Sequence, residues 1–182
     1  QDLREQSARE ITDIDFDAYA IGGVSVGEKV KDMFNAIDWV VPMLPENKPR
    51  YLMGIGLPDQ MVKAVGEGID MFDTVLPTRM GRHFTAFTST GRKLLRNAEF
   101  TRDEGSLDPQ CGCVVCKNYT LRYLRHLSNL NEMSAMRMIS YHNLYFYVNL
   151  MKQIREAIDA DTYDVFQRKF LESYKSELLE SV

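Results

Sequence analysis

The sequence predicts an α/β fold in which short parallel strands are connected by helices. Three apolar runs, each stopped by glycine or proline, predict the strands: Tyr19–Ile21 before Gly22-Gly23, Tyr51–Met53 before Gly54, and Met71–Val75 before Leu76-Pro77. The segments between these runs carry apolar residues at helical spacing. Parallel strands require a long crossover of this kind, so the alternation indicates a parallel sheet.

Each crossover helix is predicted from its apolar face. The first face consists of Val26, Val30, Met33, Phe34, Ile37 and Val41. The second helix begins at Pro58, which suits a first helical turn, and it ends at Gly66 and Gly68. Its apolar face is Met61, Val62 and Val65. A complete eight-stranded barrel of such units needs about 250 residues, so this chain supplies less than half of one.

The alternation of predicted strands and helices ends at Phe84. Two short segments flank Ser89-Thr90-Gly91 and predict a β-hairpin: Phe84–Thr88 and Lys93–Arg96. Helices are predicted over Lys117–Leu130, His142–Ile158 and Asp161–Leu179, the last with Phe166, Phe170, Tyr174 and Leu178 at steps of four. We therefore expect three segments: strand–helix units over 1–85, a hairpin and cysteine-rich segment over 86–141, and C-terminal helices over 142–182.

Composition narrows the class of protein. Of 182 residues, 45% are hydrophobic and 26% charged, which is typical of a globular chain and excludes collagen or disorder. Apolar runs such as Trp39–Leu44 are far shorter than the roughly 18 residues that cross a membrane, and we expect a cytoplasmic location. A net charge of −4 argues against a broadly basic nucleic-acid coat but allows a local basic patch. The charged start without methionine indicates a fragment rather than a signal peptide.

The three cysteines, Cys111, Cys113 and Cys116, are tightly clustered. An odd, closely spaced set is a poor disulfide framework, because one thiol is left over and the enclosed loops are very short. Three thiolates in a tight turn instead indicate tetrahedral zinc, which needs one more ligand. The candidates are the three histidines, His83, His126 and His142. By spacing, His126 and His142 compete. Such a closed site is structural rather than catalytic; the alternative is three buried or redox-active thiols.

Four motifs lie in order along the chain: YAIGGVSVGE (Tyr19–Glu28), KPRYLMGIG (Lys48–Gly56), MFDTVLPTRMGR (Met71–Arg82), and CGCVVC followed by YHNLYFYVNLM (Cys111–Met151). Together they resemble the bacterial queuine tRNA-ribosyltransferases, also called tRNA-guanine transglycosylases. The resemblance implies the C-terminal portion of a TIM barrel with an inserted zinc-binding subdomain and C-terminal helices. It also implies that the family's N-terminal half, which carries the general base, is absent from this sequence.

The activity implied by the resemblance is that of a pentosyltransferase that exchanges guanine at the tRNA wobble position for a 7-deazaguanine, the pre-queuosine base. Asp73 is then the nucleophile: its carboxylate attacks the anomeric carbon, expels guanine and holds the ribose covalently. Independently of the family, an aspartate within the apolar run Met71–Leu76 is unusual, because an unpaired buried carboxylate is costly. The alternative is a structural aspartate that caps a turn or pairs with Arg79.

The resemblance places the purine over the backbone of Gly22 and Gly23, with Met53 as the apolar wall against the base. Glycine suits this position because it lets a ligand approach the main chain closely. By themselves, the two glycines could equally end a strand, and a methionine in a strand is more often part of the core.

Arg79 and Arg82 lie in a loop that resembles the family's anticodon-binding segment, where guanidinium groups can hold phosphates or flanking bases. More basic residues surround the predicted hairpin and cysteine turn: Arg92, Lys93, Arg96, Lys117, Arg122 and Arg125. The alternative for these is an ordinary solvated surface. The chain departs from the family's usual residues at Val24, Thr74 and His83-Phe84, the last in place of Asn-Gly.

Among the histidines, the resemblance selects His142 as the fourth zinc ligand. His126 then shares a predicted helix face with Tyr119 and Tyr123, in a region that forms a homodimer contact in the family. The alternative is that this aromatic face packs on the chain's own barrel. A competing function for the whole chain is a zinc-stabilised module that binds RNA or a partner without catalysis.

Overall fold

A computed structural model of the chain describes residues 1–24, 27 and 29–175. These residues form two compact units, divided in sequence between Thr74 and Val75. The predicted helical positions Val26, Leu178 and Leu179 lie outside the described residues, as does Glu28 at the end of the first motif. Across the described ranges, no helix combines the length and the apolar character needed to span a membrane.

The first unit is a three-stranded parallel sheet with helical crossovers. In chain order it contains α1 (Asp2–Thr12), β1 (Tyr19–Ile21), α2 (Val30–Val40), a 3₁₀ turn (Val41–Met43), β2 (Arg50–Leu52), α3 (Pro58–Gly66) and β3 (Met71–Phe72). The strand order is β1-β2-β3, with Ile21 opposite Leu52 and Leu52 opposite Phe72. The predicted parallel sheet and both crossover helices are confirmed.

The core of the first unit comes from the crossover helices and the central strand. The buried residues of α2 are Met33, Phe34, Ala36, Ile37 and Val40, and the apolar ones of α3 are Pro58, Met61, Val62 and Ala64. Ile37, Leu52 and Val62 have no solvent exposure. Burial of a side chain of this size stabilises a fold by roughly 1.5–3 kcal/mol, so the faces predicted from apolar spacing hold the sheet in place.

Two elements of the first unit differ from the prediction. The apolar pattern does not predict α1, because Ala8 is its only buried residue. Its polar side chains instead pair four residues apart, as Gln6 does with Glu10. The last strand, β3, ends at Phe72 rather than Val75, because the Asp73 side chain turns to accept hydrogen bonds at the end of β2.

The second unit is mostly helical. It contains α4 (Leu76–Arg82), β4 (Thr85–Thr88), β5 (Gly91–Leu94), a 3₁₀ helix (Ala98–Arg102), α5 (Val114–Asn118), α6 (Leu121–Asn129), α7 (Met133–Asp159) and α8 (Tyr163–Ser173). The strands β4 and β5 form the predicted antiparallel hairpin, with Thr88 opposite Gly91. Its turn is therefore Ser89-Thr90, since Gly91 already belongs to β5.

One buried cluster joins the hairpin to α5, α6 and α7. Its members are Phe84, Ala86, Leu95, Phe100, Leu107, Cys113, Val115, Cys116, Leu121, Leu124, Ala135 and Ile139. Two of the three cysteines thus lie in the core of this unit, next to α7. A metal bound there would hold together elements that are far apart in sequence.

The predicted helix Lys117–Leu130 is wrong in detail. Tyr119 has an extended backbone (φ −131°, ψ 140°) and separates α5 from α6. The hydroxyl of Thr120 then caps α6 by accepting the N–H of Tyr123 at 3.2 Å. A helix over His142–Ile158 is confirmed, but α7 begins earlier, at Met133.

Candidate active site and metal centre

Asp73 follows β3 directly, and two donors from the end of β2 hold its carboxylate. The Tyr51 hydroxyl donates to Oδ1 at 2.6 Å, and the Gly54 N–H donates to the same oxygen at 2.8 Å. The side chain is exposed, so the expectation of a buried carboxylate is wrong. The strand is too short to carry Asp73 into the core.

These hydrogen bonds keep Asp73 ionised. The bond from Tyr51, followed by that from the Gly54 N–H, holds the pKa of Asp73 below its ordinary value of 3.8. In return, the hydrogen bond to Asp73 raises the pKa of Tyr51 above its ordinary value of 10.0. At neutral pH the pair is therefore a carboxylate and a neutral phenol, and a carboxylate is the form that can act as a nucleophile.

Gly22 and Gly23 follow β1, and Gly22 lies beside Met53. A Cβ atom at Gly22 would lie 3.6 Å from Met53 Sδ, an ordinary contact distance. Gly23 has a φ of +64°, in the left-handed region that favours glycine. Met53 is 45% exposed and so is not a core residue. The carboxyl ends of the three parallel strands therefore bring Gly22, Met53 and Asp73 to one edge of the sheet.

Gly56 allows the backbone beyond β2 to approach the residue that follows Asp73. A Cβ atom at Gly56 would lie 1.9 Å from Thr74 Oγ1 and 2.3 Å from Thr74 Cβ. No side chain fits at such distances, so a glycine at this position is a steric requirement of the loop beside Asp73.

The four predicted metal ligands converge in the second unit. His142 Nδ1 lies 3.6, 3.5 and 3.3 Å from the Sγ atoms of Cys111, Cys113 and Cys116, and all four ligand atoms lie within 4.8 Å of one another. Zinc bonds of about 2.3 Å to sulfur and 2.0 Å to nitrogen, at tetrahedral angles, place S and N about 3.5 Å apart. The residues therefore fit a structural zinc ion, and His142, not His126, is the fourth ligand.

The orientation of His142 is fixed from its other side. The ring is fully buried, and Nε2–H donates to the Phe87 carbonyl at 2.8 Å. Nδ1 therefore presents its lone pair to the sulfurs, as a metal ligand must. The Cys116 N–H in turn donates to Cys113 Sγ at 3.4 Å. With four protein ligands, no coordination position is left for a substrate, so the metal would act structurally.

The charges of this group favour a cation at its centre. Hydrogen bonding from Cys116 lowers the pKa of the Cys111 thiol to about 4. Burial opposes a charged His142, but hydrogen bonds to Cys111 and Cys113 outweigh it and raise the pKa of His142 to about 9. Without a metal, Cys111 is thus the thiolate, whereas the hydrogen bond that Cys116 donates to it raises the pKa of Cys116 and keeps that thiol protonated. A zinc ion would take the place of the protons shared within this group.

Asn143 binds three backbone groups and so connects α4 to β4, a role that the sequence alone does not predict. The side chain is fully buried. Its Oδ1 accepts the Phe87 N–H at 2.9 Å, and its Nδ2 donates to the carbonyls of Pro77 at 2.9 Å and Thr85 at 3.0 Å. The available sequence signal is an amide on the buried face of α7, between Ile139 and Phe146.

Arg79 and Arg82 lie on a short helix, α4, and not in the loop that was predicted. Both side chains are exposed. Because Pro77 lies in the first turn of this helix and its carbonyl is bound by Asn143, the two guanidinium groups are presented from a fixed backbone. This arrangement is compatible with binding an anionic ligand.

Several of the other basic residues take part in internal contacts. Lys93 Nζ donates to the Leu107 carbonyl at 2.9 Å, and Arg125 Nε donates to the Asn97 carbonyl at 2.8 Å. Arg122 pairs with Glu104. These contacts favour a structural role for Lys93 and Arg125.

Phe84 occupies a position where the resembled family usually has glycine. Its φ is +58°, a conformation that is unusual for a bulky residue. The ring is buried, and Arg96 lies over it with Cζ 4.3 Å from the ring centroid. Burial and the cation–π contact offset the backbone strain, and they engage Arg96 in packing as well.

The three residues of the predicted dimer contact are exposed but do not share one helix. Tyr119 precedes α6, whereas Tyr123 and His126 belong to it. The two tyrosine rings nevertheless stack, with centroids 5.6 Å apart and an interplanar angle of 15°. Their exposed fractions are 36% and 42%, so an aromatic surface is present despite the break between the helices.

Comparisons with known proteins identify one matching family model and several similar curated sequences. A sequence model of the family described as queuine tRNA-ribosyltransferase matches residues 1–176. The chain is 53% identical to a queuine tRNA-ribosyltransferase of Halothermothrix orenii, 52% to one of Streptococcus agalactiae and 50% to one of Bacillus cytotoxicus. Each comparison covers 96% of this chain but only 46–47% of the relative. The chain therefore spans about half the length of the curated relatives it matches.

Proposed function

Because the chain belongs to the queuine tRNA-ribosyltransferase family, we propose that it supplies the nucleophile of a tRNA-guanine transglycosylase. The observation that carries this proposal is the Asp73 carboxylate, held by Tyr51 and Gly54 at the carboxyl end of a parallel strand. Active sites of α/β barrels lie at this end of their strands. We propose accordingly that the first unit is part of a TIM barrel.

The proposed reaction begins at the second oxygen of the Asp73 carboxylate. Both donors use Oδ1, so Oδ2 attacks C1′ of the wobble guanosine. The C1′–N9 bond breaks, its electron pair leaves with guanine, and the ribose is held as an ester of Asp73. N9 of a 7-deazaguanine, once a general base has taken its proton, attacks C1′ and releases the carboxylate. We propose that this base is supplied by the part of the relatives' length that this chain does not match.

The purine base lies over Gly22 and Gly23, against Met53. Support comes from the juxtaposition of Gly22 with Met53 Sδ and from the exposure of the Met53 side chain. A thioether packs well on an aromatic face, and a glycine turn lets the base reach backbone donors.

The second unit serves RNA binding and assembly. Arg79 and Arg82 hold phosphates or bases near the wobble nucleotide, and the zinc site stabilises the fold around them. We propose that the exposed tyrosine pair, together with His126, forms a homodimer contact, since stacked exposed aromatics suit an interface. We also propose that 1–85 supplies barrel units, 86–141 the hairpin and zinc subdomain, and 142–182 the C-terminal helices; α4 belongs to the second unit and α7 crosses the last boundary.

The test is guanine exchange into unmodified tRNA by the full-length protein, with denaturing gels to trap the covalent complex. We expect Asp73→Asn to abolish both exchange and trapping. Asp38→Asn, an exposed aspartate on α2, should leave both intact. Exchange by the Asp73→Asn variant would overturn the nucleophile assignment. Salt-dependent tRNA binding without exchange in the unsubstituted protein would instead support the non-catalytic RNA-binding module.

A further inference from the structure

Arg4, on α1, binds the backbone of the glycine turn after β1. Its Nη1 donates to the Gly22 carbonyl at 3.1 Å, and its Nη2 donates to the Gly23 carbonyl at 2.8 Å. The two carbonyls are successive along the chain and are bound by the two ends of one guanidinium. Arg4 therefore holds two peptide planes at once, which only the planar fork of arginine can do.

Within the described residues, the Arg4 guanidinium has no competing charge partner. Among residues 1–24, 27 and 29–175, no carboxylate forms an ion pair with Arg4. Arg9, on the same helix, pairs with Glu5 at 3.7 Å instead. The positive charge of Arg4 thus acts on the two carbonyls, and hydrogen bonds from a charged donor are stronger than neutral ones.

Fixing these carbonyls also fixes the N–H groups of the same peptides. In a trans peptide the C=O and N–H bonds point in opposite directions. With the Gly22 and Gly23 carbonyls turned towards Arg4, the N–H groups of Gly23 and Val24 point away from it. Within the described part of the chain, the Gly23 N–H donates to no backbone carbonyl.

We propose that Arg4 is a positioning residue for the purine base, an inference that rests on the proposed function. Arg4 orients the Gly22–Gly23 turn so that backbone N–H groups face the acceptor edge of the base. Guanine and 7-deazaguanine share the 6-oxo acceptor, whose natural partner is an N–H donor. The charge of Arg4 also polarises both peptides and strengthens their N–H groups as donors. Arg4 itself does not contact the base.

The test compares Arg4→Met, Arg4→Lys and the control Arg9→Met in the full-length protein. Arg9→Met removes a guanidinium from the same helix without affecting the glycine turn. The measurements are the Kd of guanine by calorimetry, the KM values for guanine and tRNA in exchange, and the melting temperature. We expect Arg4→Met to weaken guanine binding roughly tenfold with the KM for tRNA unchanged. Arg4→Lys should recover only part of this affinity, because an ammonium cannot bridge both carbonyls in one plane.

The outcomes separate this proposal from the proposed function. If the unsubstituted protein binds guanine and Arg4→Met and Arg4→Lys bind it as tightly as Arg9→Met, the positioning role is overturned while the proposed function stands. A purely structural role would lower the melting temperature and affect guanine and tRNA alike, which also overturns the proposal. If Arg4→Met does not fold, the guanine Kd of Arg4→Lys decides. Failure of the unsubstituted protein to bind guanine overturns both.

Discussion

The hydroxyl of Tyr51 lies 2.6 Å from Oδ1 of Asp73 and joins the ends of two neighbouring parallel strands. The Gly54 N–H, three residues beyond Tyr51, reaches the same oxygen. A carboxylate oxygen that accepts two donors is fixed in position while the other oxygen can react. Both donors come from the motif around Met53, so the residues proposed to bind the base also position the nucleophile.

Tyr51→Phe should leave Asp73 with one donor and raise its pKa towards the ordinary value, because the hydrogen bond from Tyr51 is the largest cause of the lowered pKa. The carboxylate form of Asp73, and any stability that it contributes to the fold, is fully present above the pKa of Asp73 in the unfolded chain. Both are lost as the pH falls through the lower pKa of Asp73 in the folded protein. The acid limb of the exchange rate should therefore move to higher pH. We also expect a rate loss of roughly 10- to 100-fold from the less fixed carboxylate.

This prediction is checked by measuring guanine exchange across pH and by following the Asp73 carboxyl resonance in NMR titration. Tyr141→Phe, which alters an exposed tyrosine on α7, is the matched control. An acid limb at the same pH in Tyr51→Phe and the control would contradict the role of Tyr51.

Gly22→Ala separates a base-binding glycine from one that merely ends a strand. The added Cβ would meet Met53 Sδ at 3.6 Å, an ordinary contact, so stability should change by less than about 0.5 kcal/mol. Binding of guanine should weaken roughly tenfold, because the methyl group occupies space proposed for the base. Denaturant unfolding measures the change in stability, and a guanine titration measures the change in affinity.

Gly56→Ala is the opposite case and serves as the comparison. Its Cβ would lie 1.9 Å from Thr74 Oγ1, so the loop must shift at a cost of roughly 1–3 kcal/mol. If Gly22→Ala is also destabilised and binds guanine normally, then Gly22 is a turn residue and not part of the base site.

The parts of the site that could be predicted depend on local sequence. The three cysteines lie within six positions, so their spacing alone predicts a metal site. The choice of His142 over His126 depends on the family resemblance and not on spacing. The parallel strands follow from apolar runs, since burial sets their pattern. Helix α1 escaped prediction because its residues are stabilised by polar pairs, which leave no apolar period.

Long-range polar contacts could not be predicted. Asn143 binds backbone groups 56 to 66 residues away, and Arg4 binds carbonyls 18 and 19 residues away. Such contacts depend on how the folded elements approach one another. An asparagine at position 143 or an arginine at position 4 does not by itself indicate which backbone group it will bind. The sequence likewise predicts Tyr51 only as part of a strand, because its hydrogen bond to Asp73 depends on the register between β2 and β3.

Removing zinc should unfold the hairpin and zinc-binding region, from about residue 86 to residue 158. Without the ion, the cysteine thiolates would repel one another and His142 would lose its metal partner. The buried cluster that contains Cys113 and Cys116 would then open. Hydrogen exchange before and after chelation should show lost protection in α5 and α6, while β1 and β2 stay protected. Cys116→Ser should reproduce the effect. An unchanged melting curve after verified loss of zinc would falsify a structural role.

Asn143→Leu should destabilise the protein by about 3 kcal/mol, because two backbone carbonyls and one N–H lose their buried partner. Asn149→Leu, on the same helix but only partly buried, makes the same chemical change and should cost less than about 1 kcal/mol. Denaturant unfolding of both variants gives the comparison. Equal losses would mean that the three hydrogen bonds of Asn143 contribute little.

Arg79→Ala and Arg82→Ala test whether α4 contacts RNA. Each exposed guanidinium that neutralises a phosphate releases a counterion, so its loss should reduce the slope of log Kd against log salt by about 0.7–0.9. Arg155→Ala removes an equally exposed arginine from α7 and should leave the slope unchanged, which separates a local contact from the general effect of net charge. Because the α4 backbone is held by Asn143 through Pro77, Asn143→Leu should weaken tRNA binding without changing the charge of the surface. The measurement is tRNA binding by fluorescence anisotropy at several salt concentrations; identical slopes for Arg79→Ala, Arg82→Ala and Arg155→Ala would place the RNA contact elsewhere.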